Sequence, residues 1–148
     1  MAYILHEVDG TFHADIIHQF NSMVEGWPKI EPRHLTDGYW WIIYLDEEGH
    51  ALGEPVAFAG LVPFEPFPNI GYCKRCFVKP DHHGHGLQFR TLMARELKCR
   101  QLNWHTLVSE CAEQNFWSVA NMRKAGFQQC EPEQKWGSPG STYWVKYL

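Results

Sequence analysis

Apolar residues recur every four positions at Phe12, Ile16, Phe20 and Val24, with Ile17 beside them. That spacing predicts a helix over residues 12 to 25, capped by Asp9 or Thr11 and ended by Gly26 and Pro28. Residues 27 to 37 are polar and carry prolines, so a connection is expected there. From Tyr39 to Leu45 the helical period disappears and the run Tyr-Trp-Trp-Ile-Ile-Tyr-Leu reads as a strand. Turn chemistry at Asp46 to Gly49 and a second strand near Val56 to Val62 complete a predicted hairpin. A proline-broken loop follows, then a third strand from Ile70 to Val78. A helical period returns over residues 87 to 102, with Phe89, Met93 and Leu97 as the expected stripe and Leu92 next to it. A short strand near 105 to 110 precedes a helix over 116 to 125, with Asn115 as its N-cap and Gly126 just past its end. Two short strands, near Phe127 to Cys130 and Thr142 to Tyr147, close the chain.

This order predicts an α+β (mixed α/β) fold: a mixed, mostly antiparallel sheet of six to seven strands with about three to four helices. No interior linker interrupts it, so residues 1 to 148 are expected to form one domain. Apolar residues make up 45% of the chain and aromatics 15%, enough to bury a sizeable core. The net charge of −4 argues against a broad basic face for nucleic acid. The start of the chain lacks a signal-like pattern and no apolar run is long enough to span a bilayer, so a cytoplasmic protein without membrane attachment is expected. Five cysteines without an export signal read as reduced thiols.

The candidate chemistry begins at the stretch VKPDHHGHGLQF, Val78 to Phe89, between a predicted strand and a predicted helix. A helix N-terminus offers unpaired N–H groups and a positive dipole end, which suit a phosphate. Gly84 and Gly86 keep side chains away from an approaching anion, or they simply make the turn. The stretch resembles the acetyl-CoA pyrophosphate loop of the GNAT superfamily of N-acetyltransferases, usually Arg/Gln-x-x-Gly-x-Gly/Ala after a strand ending Val-x-Pro. Val78 and Pro80 fit the strand end, and Gly86 fits the central glycine. His83 stands where Arg or Gln is usual, and Gln88 replaces the final small residue. Downstream, NFWSVANMRKAGF resembles the family's Asn-x-x-Ala/Ser-x-x-x-Tyr-x-Lys-x-Gly-Phe, with Asn115, Ser118, Lys124, Gly126 and Phe127 in place and Met122 at the tyrosine position.

The resemblance, which covers about residues 70 to 127, implies a sheet splayed at its centre and acetyl-CoA as co-substrate. It implies cofactor binding by Phe77, Val78, His83, Gly84, His85, Gly86, Leu87, Gln88, Asn115 and Ser118. It further implies attack by a primary amine, from a small molecule or a peptide, within a ternary complex. Glu110, at the end of a strand five residues before Asn115, is then the candidate general base, with His105 and Glu65 behind it. The acceptor loops carry Trp27, Phe64, Phe67 and Trp136, an expectation of a partly apolar pocket. A homodimer is compatible with this reading.

Two other readings remain open from the residues alone. One is a non-catalytic CoA-binding or protein-interaction module of the same fold. The other is a small zinc module using Cys73 and Cys76 with the histidines at 82, 83 and 85. Cysteines three apart on a strand face opposite sides, so no metal is expected.

Overall fold

A computed structural model describes residues 2–47 and 51–148. The elements are β1 (Tyr3–Val8), α1 (Ala14–Ser22), α2 (Pro32–Asp37), β2 (Tyr39–Glu47), β3 (Ala51–Pro63), β4 (Ile70–Val78), α3 (Leu87–Gln101), β5 (Thr106–Ala112), α4 (Phe116–Lys124), β6 (Gln128–Cys130) and β7 (Ser141–Tyr147). A 3₁₀ turn at Pro80–His82 lies between β4 and α3. Among the described residues the strands form one seven-stranded sheet in the order β1-β2-β3-β4-β5-β7-β6. The pairs β1–β2, β2–β3, β5–β7 and β6–β7 are antiparallel, and β4–β5 is parallel. The β4–β5 register covers only Ile70–Tyr72 against Thr106–Val108.

The chain divides into two compact units. The first holds residues 1–62 and 74–87. Its central strands are buried on both faces, which is why β2 reads as continuous apolar sequence with no alternation. Ile42 and Phe58 join Ile17, Phe20, Ile30, Leu35 and Trp40 in one cluster. Their chain neighbours Ile43 and Ala57 join Val56 and Leu87 in another. Phe58 stacks between Phe20, at a centroid distance of 5.3 Å, and Trp40, at 6.2 Å. In β4, Arg75 has a left-handed backbone (φ 62°), and its side chain is held by Asn21 Oδ1 at 2.8 Å and the Pro28 carbonyl at 3.0 Å.

The second unit holds residues 63–73 and 88–148. Asn115 caps α4 by accepting from the Ser118 N–H at 3.2 Å. The helix ends in paired return bonds, Gly126 N–H to Arg123 O and Phe127 N–H to Met122 O, with Gly126 at φ 90°. Lys146 pairs with Glu96, and its Nζ donates to the Ala125 carbonyl.

The structure corrects several expectations. β1 and α2 are additional elements, and α2 lies where only a connection is expected. Helix α1 begins at Ala14, not at residue 12, because Asp9 Oδ1 accepts from the N–H groups of Thr11 and Phe12 and holds a turn there. Phe12 is therefore 86% exposed, and Ile17 and Phe20 carry the core face. On α3 the buried side is Leu87, Thr91, Leu92, Arg95 and Cys99, and the expected stripe ends in an exposed Leu97. Burial of polar Thr91 and Arg95 hid this face. Arg95 is satisfied along its own helix by the carbonyl and hydroxyl of Thr91. The turn expected at Asp46 to Gly49 lies largely outside the described residues.

Candidate active site

In the first unit the candidate loop leaves β4 at Val78, makes the 3₁₀ turn and reaches the start of α3. Phe77 packs against one core cluster, and Val78 and Leu87 belong with the other. Their side chains are thus structural, and only their backbone groups remain for a ligand. Gly84 and Gly86 both have positive φ, 81° and 71°, a backbone that side chains with a Cβ rarely adopt. A Cβ placed on either would meet nothing within 4 Å, so the space above both is open. The first turn of α3 carries no acidic residue. Open glycines before an acid-free helix start fit an anion such as a pyrophosphate.

The three histidines of the loop divide. His82 is buried, with Nδ1 in a hydrogen bond with the Tyr3 hydroxyl at 3.0 Å. His83 is exposed, and its Nε2 donates to the Val78 carbonyl at 2.8 Å. It therefore braces the loop and does not extend a free N–H at that atom. His85 is exposed and packs its ring near Tyr3, at 5.4 Å. Among the described residues no group of three His, Cys, Asp or Glu side chains is arranged to hold a metal.

In the second unit Gln88 replaces a small residue for a visible reason. Its Nε2 donates to Ser118 Oγ at 3.0 Å, and its Oε1 accepts from Asn121 Nδ2 at 2.9 Å. Both ends of the amide tie the first turn of α3 to α4. The Ser118 hydroxyl keeps its own proton in this arrangement. Met122, where the family has a tyrosine, is 4% exposed.

Glu110 sits within β5, opposite Tyr143 of β7. Tyr72 Oη donates to Glu110 Oε1 at 2.7 Å, which fixes the carboxylate. A Cβ added at Gly137 would collide with the Glu110 carboxylate, so any larger residue there must displace it. The Gly137 N–H donates to the Tyr143 hydroxyl at 3.1 Å, holding this loop in place. Around the carboxylate runs a chain of aromatic contacts: Phe64 with Phe67 at 5.7 Å, Tyr72 at 5.9 Å and Trp136 at 5.1 Å, and Trp136 with Tyr143 at 4.6 Å. The family resemblance points to Glu110, Phe64, Phe67 and Trp136. Tyr72, Gly137 and Tyr143 were missed, because their link to Glu110 depends on strand register and a loop return. The weaker base candidates differ: Glu65 is exposed, and His105 is exposed with Nδ1 engaged by the Thr106 hydroxyl at 2.8 Å.

The acetyltransferase (GNAT) family model matches residues 7–127, so the chain belongs to that family. No curated protein sequence matches it. Solved structures share the fold at low identity. One chain of the NatC complex bound to Gag peptide and CoA aligns at a TM-score of 0.79 and 12% identity, covering 100% of this chain and 99% of that one. The structure of yncA from Salmonella typhimurium with its cofactor acetyl-CoA aligns at 0.73 and 18%, covering 100% and 95%. The ribosomal-protein-alanine N-acetyltransferase of Brucella melitensis aligns at 0.69 and 20%, covering 98% and 99%. No helix among the described residues is long and apolar enough to cross a membrane.

Proposed function

We propose that this protein is an N-acetyltransferase that uses acetyl-CoA and acts on a primary amine, with Glu110 as general base. Family membership supports the reaction class, and the fit of the 83–88 turn to a pyrophosphate supports the co-substrate. The backbone of Gly84, His85, Gly86 and Leu87 and the first turn of α3 would hold the phosphates. In the first unit Phe77 and Val78 would contribute backbone groups; in the second, Asn115 and Ser118 offer side-chain polar atoms. Acetyl-CoA supplies an activated acetyl group when bound.

The observation that carries the catalytic assignment is the fixed Glu110 carboxylate, bonded to Tyr72 and pressed against Gly137. Two carboxylate oxygens give it room to accept a second proton donor while it holds Tyr72. An ammonium group arriving there gives up a proton to the carboxylate, leaving the neutral amine that can attack. Ser118 retains a hydroxyl proton for the departing thiolate, a role that buried Met122 has no group to fill.

That same Met122 favours a second reading, a CoA-binding module without turnover. A panel of primary amines with acetyl-CoA separates the two: amine-dependent release of free CoA supports the enzyme. Tight CoA binding with no release for any amine supports the module.

A further inference from the structure

Glu110 has its one hydrogen bond from Tyr72, and among the described residues no cation pairs with it. Its second oxygen is left to accept from a ligand. Its surroundings in the second unit are rings: Tyr72 and Tyr143 beside it, then Trp136, Phe64 and the 54% exposed Phe67. Trp136 Nε1 is buried and has no hydrogen-bond partner, and its indole packs edge-to-face against Phe64 and Tyr143. An anion within aromatic walls complements a cation that carries an apolar body. The ammonium meets the carboxylate and the ring faces, and the body covers the exposed rings.

We infer that the acceptor is a primary amine borne on an aromatic or bulky apolar group, with no carboxylate beside the amine. This inference rests on the reading of Glu110 as the acceptor end of the site. A second carboxylate beside the amine would be brought close to Glu110 and repelled by its like charge. A small polar amine would satisfy Glu110 but leave the exposed Phe67 wet. The class therefore includes arylalkyl amines and excludes free amino acids and short hydrophilic amines.

The test measures binding, so it does not depend on turnover. The full chain, saturated with CoA, is titrated with 2-phenylethylamine, propylamine and phenylalanine by calorimetry. The expected order is 2-phenylethylamine tightest, with propylamine and phenylalanine each weaker by about tenfold or more. Trp136→Ala should erase most of the advantage over propylamine. Because that variant removes a large ring, Phe67→Ala, at an exposed position, provides a second check and should reduce the advantage about threefold. Equal binding of the three ligands, tighter binding of phenylalanine, or no binding of any overturns the inference. The proposed function fails separately, if no amine at all is acetylated.

Discussion

Tyr72 closes the three-residue register between β4 and β5, and its hydroxyl reaches along β5 to the Glu110 carboxylate at 2.7 Å. The bond holds the carboxylate in one orientation without neutralising it. Tyr72→Phe keeps the ring against Phe64 and removes only this donor. Acetyl transfer should then fall several-fold, less than the about 10²–10⁴ that complete loss of a base would cost. CoA binding should be unchanged. Steady-state kinetics beside CoA titration checks both.

Gly137 is constrained by space, since a Cβ there would overlap the Glu110 carboxylate. Gly137→Ala must push the carboxylate aside or shift the loop that the Tyr143 hydroxyl anchors. Activity should drop at least about tenfold, comparable to direct loss of a catalytic proton acceptor. Circular dichroism should show the fold retained.

The pyrophosphate reading makes a sharper demand at Gly86. Its φ of 71° disfavours any side chain, and the space above it is open. Gly86→Asp adds backbone strain and sets a negative charge where the phosphates would bind. CoA affinity should fall by at least about tenfold by calorimetry. Gln88→Ala makes the opposite prediction. It removes two hydrogen bonds to α4 and should cost about 1–3 kcal/mol of stability, read as a lower denaturant midpoint, while CoA affinity holds.

Much of the fold is legible in the sequence, and the contacts that are not share a cause. Local signals were reliable: Asn115 caps α4, Gly126 ends it, and β4 keeps its predicted bounds of Ile70 to Val78. Glu110 is named by the resemblance, which fixes its place by counting back from Asn115. Tyr72 and Gly137 are not, since they lie 38 and 27 residues away and meet Glu110 only through sheet register and a loop. The core face of α3 does not show as an apolar stripe, because polar Thr91 and Arg95 are buried on it. α2 was missed because six residues beginning with proline carry too little period to detect.

The buried thiols give a pH dependence with a definite sign. Burial, with Cys73 nearby, pushes the Cys99 thiol from its ordinary 9.0 up to about 12. The unfolded thiol ionises first as pH rises, so folding loses ground through that window. The contribution is complete below pH 9.0 and is lost as pH climbs toward about 12. Denaturant midpoints of wild type and Cys99→Ala should converge as pH rises above 9.0, and parallel alkaline losses would contradict this.

The central claim is that Glu110 takes the proton from the acceptor amine. The most direct measurement is the rate of acetyl transfer by Glu110→Gln at saturating acetyl-CoA, with the best amine found, beside CoA affinity for the same variant. Glutamine keeps the shape and can still accept from Tyr72, but it cannot take the proton. The account predicts a fall in kcat of at least about tenfold with CoA affinity unchanged. Full activity in Glu110→Gln would contradict it and leave Glu110 as a carboxylate within β5 that only Tyr72 uses.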